Sequence, residues 1–202
     1  MNKFCFIDLE TTGTDIKECG IHQISGMIVI DGIVKEKFDL RVRPLPGKRI
    51  EEKALEVSHV TREQLDSFPT AQEVYVRLTN IFGKYVNKFN RQDKMFFCGY
   101  NVASFDMPFL RQWFEDLGDK YFGSWFWSVP LDVIVLAQSK LVNERPSMVD
   151  FKQGTVAKQL GIVIEEDKLH DALYDIEVCY EIWKRVSVPQ LPEQQQSMSL
   201  ID

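Results

Sequence analysis

Lys3-Phe4-Cys5-Phe6-Ile7-Asp8-Leu9-Glu10-Thr11-Thr12-Gly13 is the stretch whose reading decides the fold. From Lys3 to Asp8 it is a short aromatic and β-branched run, the pattern of a buried strand. Two acids then interrupt the apolar run. Strand alternation puts residues two apart on one face, so Asp8 and Glu10 point the same way. Like charges that close repel unless a cation lies between them. Thr11-Thr12-Gly13 adds hydroxyls, backbone donors and a turn beside the pair. Taken alone, Asp-x-Glu is also compatible with a solvated strand end.

Working outward, Ile21 to Ile30 reads as a second strand. Asp31-Gly32 is a hairpin signal leading into a third, Ile33 to Val42, and Pro44-Leu45-Pro46-Gly47 breaks the sheet. Thr70 opens a helix, with Val74, Leu78, Ile81, Phe82, Tyr85 and Phe89 at helical spacing. Met95 to Tyr100 is a further strand, followed by a helix over Met107 to Leu117. Pro130 precedes another helix through Leu136, and Phe151 to Leu160 is helical up to Gly161. A last helix spans Asp171 to Val186, with Ile176, Cys179, Trp183 and Val186 on one side. This order predicts an α/β domain whose sheet is antiparallel at first and parallel later. After Ser187 the periodicity stops: Val188-Pro189-Gln190-Leu191-Pro192 and a Gln run follow. The expected division is a folded domain over 1–187 and a flexible tail over 188–202.

Of the 202 residues 45% are apolar, including 14 Phe and 4 Trp, enough for a sizeable core. That excludes a disordered chain, a collagen-like chain and a disulfide mini-scaffold. Lys and Arg number 24 against 30 Asp and Glu, a net charge of −6. A protein that coats duplex DNA or an anionic membrane by charge alone should be basic, so any nucleic-acid role must come from a local site. The four cysteines form no CxxC pair, and Cys5, Cys98 and Cys179 lie in apolar stretches, as reduced core residues do. The N-terminus meets Asp8 before any signal-peptide core, and no apolar run reaches the roughly 18 residues of a membrane span. The expectation is a soluble, cytoplasmic protein with no membrane partner.

Two more segments carry acids that border core elements. Asn101-Val102-Ala103-Ser104-Phe105-Asp106 follows an apolar strand, where Ser104 or Asp106 could equally cap a helix. His170-Asp171-Ala172-Leu173-Tyr174-Asp175 enters the last helix, where an acid is favourable near the N-terminus in any case. Together with Asp8 and Glu10 these segments supply four carboxylates and an imidazole. Hard Mg²⁺ or Mn²⁺ prefers carboxylate oxygens, and two such ions suit phosphodiester hydrolysis. A histidine with a pKa near 6.5 is suited to take the proton of the attacking water.

Asp8-Leu9-Glu10-Thr11-Thr12-Gly13, Asn101 to Asp106, and His170 with Asp175 resemble, in order, the three motifs of the DEDDh (DnaQ-like) 3′–5′ exonuclease superfamily. Leu131-Asp132 before an apolar helix and Leu160-Gly161-Ile162 before the last motif extend the likeness over roughly residues 1 to 186. The branch most resembled is that of proofreading epsilon subunits of bacterial DNA polymerase III. The resemblance implies a ribonuclease H-like α/β domain with a five-stranded mixed sheet flanked by helices. It implies two divalent cations, Mg²⁺ or Mn²⁺, on Asp8, Glu10, Asp106 and Asp175, with Asp8 the bridge and His170 the general base. The superfamily's tyrosine branch places Tyr where this chain has Asp171, so the histidine branch is preferred. Thr11 and Thr12 would contact the terminal nucleotide, partly through backbone, and Asn101 and Phe105 would line or support the cleft. Many relatives carry His-Gly-Ile-Thr where this chain has Ser58-His59-Val60-Thr61. Val60 would remain an apolar wedge at the 3′ end, whereas His59 is out of register. Asp132 reads first as a helix cap, and His22 as structural.

The implied activity is 3′–5′ hydrolysis at single-stranded or frayed DNA ends, releasing nucleoside 5′-monophosphates in proofreading or repair. The alternatives are an exoribonuclease of the RNase T or oligoribonuclease kind, and an inactive nuclease-like tether. Gln195-Gln196-Ser197-Met198-Ser199-Leu200 resembles the short motif that binds the bacterial sliding clamp, with Gln195, Met198 and Leu200 as the anchors. A clamp or a replicative polymerase is the implied protein partner. Two divalent ions would bring the charge from −6 to −2, so the acidic balance narrows a nucleic-acid role to strand ends rather than excluding it.

Overall fold

β1 (Lys3–Thr11) lies third in a five-stranded sheet, between β2 (Ile21–Ile30) and β4 (Phe96–Gly99). In the computed structural model, which describes residues 2–165 and 171–187, β3 (Ile33–Arg41) and β5 (Leu131–Asp132) complete the order β3-β2-β1-β4-β5. β1–β2 and β2–β3 are antiparallel, whereas β1–β4 and β4–β5 are parallel. This is the mixed sheet expected from the order of strands and helices. At the β2–β3 hairpin Asp31 and Gly32 both take positive φ, 49° and 80°. Two such residues twist a two-residue turn to match the flanking strands. Within the hairpin, Gly26 lies opposite Phe38, and a Cβ on Gly26 would stand 2.1 Å from the Phe38 ring.

Helices cover both faces of the sheet. α3 (Ala71–Gly83) and α4 (Asp106–Asp116) pack Leu78, Phe82, Phe109, Leu110 and Phe114 against Cys5, Ile7, Leu9, Ile24 and Ile28. On the other face, α5 (Val133–Lys140), α6 (Gln153–Gln159) and α7 (Ala172–Val186) bury Val133, Ala137, Val156, Ile176, Cys179 and Ile182 against Phe6, Met27, Val29 and Cys98. Trp183 of α7 packs on the rings of Phe4 and Phe6. All four cysteines are buried and unpaired.

Three features depart from the sequence expectation. α3 stops at Gly83, so Tyr85 and Phe89 leave the helical register, and Phe89 is 87% exposed rather than core. Side-chain bonds to the turn backbone take over there: the Asn87 side chain accepts the Phe89 N–H, and Asp93 accepts the Asn87 N–H. Two short helices, α1 (Glu52–Ser58) and α2 (Arg62–Ser67), form where the sequence shows no long apolar period. Thr61 and Gln64 form a reciprocal capping box at α2, as Thr70 and Glu73 do at α3. β5 holds only two residues, too few to show a period. Among the described residues no helix is long and apolar enough to cross a membrane.

Candidate active site

The acids of β1 sit at its C-terminal end, where Asp8 is in register with Ser25 and Glu10 with Gln23. Both side chains emerge on the sheet face that carries Phe6, the face covered by α7. Pairing between β1 and β4 ends at Phe6 and Cys98, so the Leu9 N–H lies beyond the reach of β4. Asp106, the first residue of α4, supplies the missing acceptor: its Oδ1 takes the Leu9 N–H at 3.0 Å. That bond ties the second acidic segment to the first and leaves the other carboxylate oxygen of Asp106 uncommitted to Leu9. Asp175 lies in the first turn of α7, whose Ile176 and Cys179 anchor the helix on the sheet. The Gln153 side chain donates to the Asp175 carbonyl oxygen at 2.8 Å, holding α6 to the same turn.

Burial and mutual repulsion push these carboxyls up. Burial raises Asp8 well above the usual carboxylate range, and Asp106, Glu10 and Asp175 each add to the shift. Glu10 is pushed up to about 7 by burial and then by Asp175, against a lowering pull from Arg41. Burial raises Asp106 as well, opposed by the Leu9 hydrogen bond and assisted by the charges of Asp132 and Glu10. Asp8, Glu10, Asp106 and Asp175 therefore share one electrostatic site, although three different elements deliver them. Among the described residues no three His, Cys, Asp or Glu side chains close on a single point. Mutual repulsion among carboxylates opposes closer approach. The donor set is oxygen only and strongly anionic, which fits hard divalent ions and does not fit a thiolate-loving metal.

The remaining predicted site residues fall into distinct environments. Thr11 is buried, and its hydroxyl donates to the Gly13 carbonyl at 2.7 Å. Thr12 is fully buried with every polar group engaged: its N–H donates to the Gly20 carbonyl, its carbonyl accepts the Glu51 N–H, and its hydroxyl donates to the Arg49 carbonyl and accepts the Gly20 N–H. That revises the expectation for Thr12, which staples the loop after β1 to the segment before α1 and has no group left for a nucleotide. Asn101 is exposed in the left-handed region (φ 66°), a conformation Asn tolerates. Phe105 is half-buried directly before Asp106, its ring centroid 4.9 Å from that of Phe109. Val60 packs with Leu55 and Leu65 and is only 8% exposed, so little of the expected wedge is available to a ligand. His59 ends α1 with a left-handed φ of 53° and is exposed. His22 is buried without a hydrogen-bond partner at either ring nitrogen, and burial followed by the Arg41 charge pushes it down to about 4. It is therefore neutral at physiological pH, in keeping with a structural role. His170, Gln195, Met198 and Leu200 lie outside the described residues.

Asp132 does more than the cap foreseen for it. Its carboxylate accepts the Ile134 N–H of α5, and also the N–H groups of Asn101 at 2.8 Å and Ala103 at 2.9 Å. The loop that delivers Asp106 is thereby fastened to β5. Only pairing of β4 with β5 brings Asp132 there, and no local pattern encodes that pairing. Asp132→Ala leaves two loop donors without their acceptor, so urea unfolding is expected to show a loss of about 1–3 kcal/mol. Any activity that depends on the acid cluster is expected to fall with it, because Asp106 loses its fixed approach to Leu9.

Comparison with known proteins identifies the family. The RNase_T family model, described as exonuclease, matches residues 5–183. The DNA polymerase III subunit epsilon of Aquifex aeolicus is 26% identical over 183 residues, covering 91% of this chain and 79% of that protein. The PolC-type DNA polymerase III of Clostridium perfringens is also 26% identical over 183 residues, but the match covers only 11% of its length. Among solved structures, E. coli exonuclease I in complex with a dT13 oligonucleotide superimposes with a TM-score of 0.76 at 20% identity, over 94% of this chain and 42% of that one. That likeness speaks for a shared ribonuclease H-like fold. With the family model spanning both β1 acids, the Asp106 segment and Asp175, the chain belongs to the exonuclease family of the DnaQ-like superfamily.

Proposed function

We propose that the protein is a metal-dependent 3′–5′ exonuclease that removes nucleoside 5′-monophosphates from single-stranded or frayed DNA ends during proofreading or repair. The observation that carries this reading is the cluster of mutually repelling carboxylates at the end of β1. The kinship with polymerase III epsilon and PolC chains, and the fold shared with an exonuclease I that holds an oligonucleotide, support DNA as the substrate. Asp8, Glu10, Asp106 and Asp175 would hold two Mg²⁺ or Mn²⁺ ions, with Asp8 the shared ligand. When bound, the ions supply charge neutralisation at the phosphodiester and a more acidic water. His170 takes the proton of the attacking water, whose oxygen bonds to phosphorus as the P–O3′ bond breaks; the nucleoside 5′-monophosphate leaves, and the 3′ oxygen of the shortened strand takes up a proton from solvent as its new 3′ hydroxyl. Asp132 and the Leu9 N–H fix Asp106, so that the acids keep their spacing through the reaction. In this reading residues 1–187 form the nuclease, working in the cytoplasm. Gln195, Met198 and Leu200 of the 188–202 tail engage a sliding clamp or polymerase assembly.

The test is digestion of matched DNA and RNA strands labelled at the 5′ end, with Mg²⁺ or Mn²⁺. DNA is expected to shorten stepwise from its 3′ end with release of mononucleotides. Shortening of RNA alone would move the assignment to an exoribonuclease, and no shortening of either would leave an inactive tether.

A further inference from the structure

The register of β1, β2 and β3 places Glu10, Gln23 and Arg41 in one row across the sheet, so Arg41 emerges on the face that carries the acids. Two strand spacings separate its Cα from that of Glu10, about 10 Å, a gap its long side chain can narrow. Arg41 is exposed on the edge strand and rests its guanidinium over the Phe68 ring at 5.9 Å. Its natural partner would be Asp39, two residues back on the same face. Asp39 instead turns its Oδ1 to β2, where Gln23 Nε2 and Ser25 Oγ both donate to it at 2.7 Å. Among the described residues Arg41 makes no ion pair, although the chain carries 30 acids to 24 Lys and Arg. Its charge nonetheless reaches Glu10.

An unpaired guanidinium at the rim of an acidic site has a use when the ligand is a polyanion. We propose that Arg41 binds the phosphate immediately 5′ of the scissile phosphodiester, setting the path by which the strand leaves the acid cluster toward β3. The inference rests on the exonuclease reading and adds the residue that holds the strand one nucleotide from the cut. A guanidinium matches phosphate geometry with two parallel N–H donors, and stacking on Phe68 pre-orients its plane. The substrate feature it reads is backbone charge, so the contact is indifferent to base identity.

The experiment compares a dinucleoside monophosphate, whose only phosphate is the scissile one, with the trinucleotide that has one more phosphate on its 5′ side. For Arg41→Gln the ratio of kcat/KM for the trinucleotide to that for the dinucleotide is expected to fall about tenfold, the worth of one charged hydrogen bond. Arg41→Lys is expected to recover part of that ratio, because it keeps the charge and loses the fork. With a longer single strand, the slope of log KM against log salt concentration should shrink by about 0.7 in Arg41→Gln. A ratio that stays at the wild-type value overturns the proposal, whether both rates hold or both drop together. The latter pattern would mean that Arg41 acts through Glu10. If the wild-type protein hydrolyses neither these compounds nor the longer single strand, the exonuclease reading itself fails; if it shortens only the longer strand, that reading stands and the salt slope decides on Arg41. Melting curves of both variants exclude unfolding as the cause of any change.

Discussion

Asp8→Asn is expected to lower exonuclease turnover by about a thousandfold or more while leaving the metal-free protein as stable as the wild type, or more so. The two effects share one cause. Asp8 stands where the repulsion of Asp106, Glu10 and Asp175 converges, and burial already disfavours its charge. A bound cation reverses that balance, and its stabilisation of transition-state charge is worth several kcal/mol, at about 1.4 kcal/mol per factor of ten in rate. Asn keeps the shape and one acceptor oxygen but removes the charge that holds the ion. Without metal, the same change relieves a cluster of like charges, so the melting temperature should hold or rise. Turnover within tenfold of wild type would show that Asp8 is not an essential ligand. A large drop in melting temperature would instead make Asp8 a structural acid.

Most of this site was legible in the order of residue types, because alternation is a local property. Two acids at the end of an apolar strand must share a face, and Asp8 and Glu10 do. Asp31-Gly32 named its turn, since left-handed backbone suits few other pairs. Asp106 could be placed beside a strand end from sequence, but not the bond to Leu9, which depends on where β4 stops pairing. Thr12, Val60 and Asp132 show the limit. Each has a motif position that suggests a ligand contact or a cap, and each takes on a task set by segments 29 to 39 residues away in sequence or by a small local cluster, for Asp132 in addition to its cap. Thr12 is enclosed by Gly20, Arg49 and Glu51, and Asp132 by Asn101 and Ala103. Arg41 carries no motif at all. Its significance emerges only when the β2–β3 register shows Asp39 already engaged by Gln23 and Ser25. Phe89 fails for a simpler reason: apolar spacing continues past Gly83, but the helix does not.

The stability gained on adding Mg²⁺ or Mn²⁺ is expected to be much larger at pH 8 than at pH 5. Glu10 is raised from 4.5 in an unconstrained chain to about 7 in the folded protein. Between those values the folded state retains a proton that the unfolded chain has released. Stability without metal therefore falls as pH climbs through that window, and it stays low above pH 7. For Glu10 alone the loss is up to about 3 kcal/mol, since each pKa unit is worth about 1.4 kcal/mol. In a chain of this size that corresponds to roughly 6–12 °C in melting temperature. Asp8 and Asp106 are shifted in the same direction and steepen the slope. A divalent ion needs the ionised carboxylates, so at pH 8 it finds Glu10 already deprotonated and cancels the repulsion there, whereas at pH 5 it must first displace that proton. Calorimetry with and without the ion across this range measures the difference directly. Glu10→Gln provides the control: it should flatten the metal-free slope by the share assigned to Glu10 and reduce the ion's effect at pH 8. An ion-induced gain that is equal at both pH values, or a metal-free protein that grows more stable toward pH 8, would contradict a cluster of buried, mutually repelling acids as the metal site.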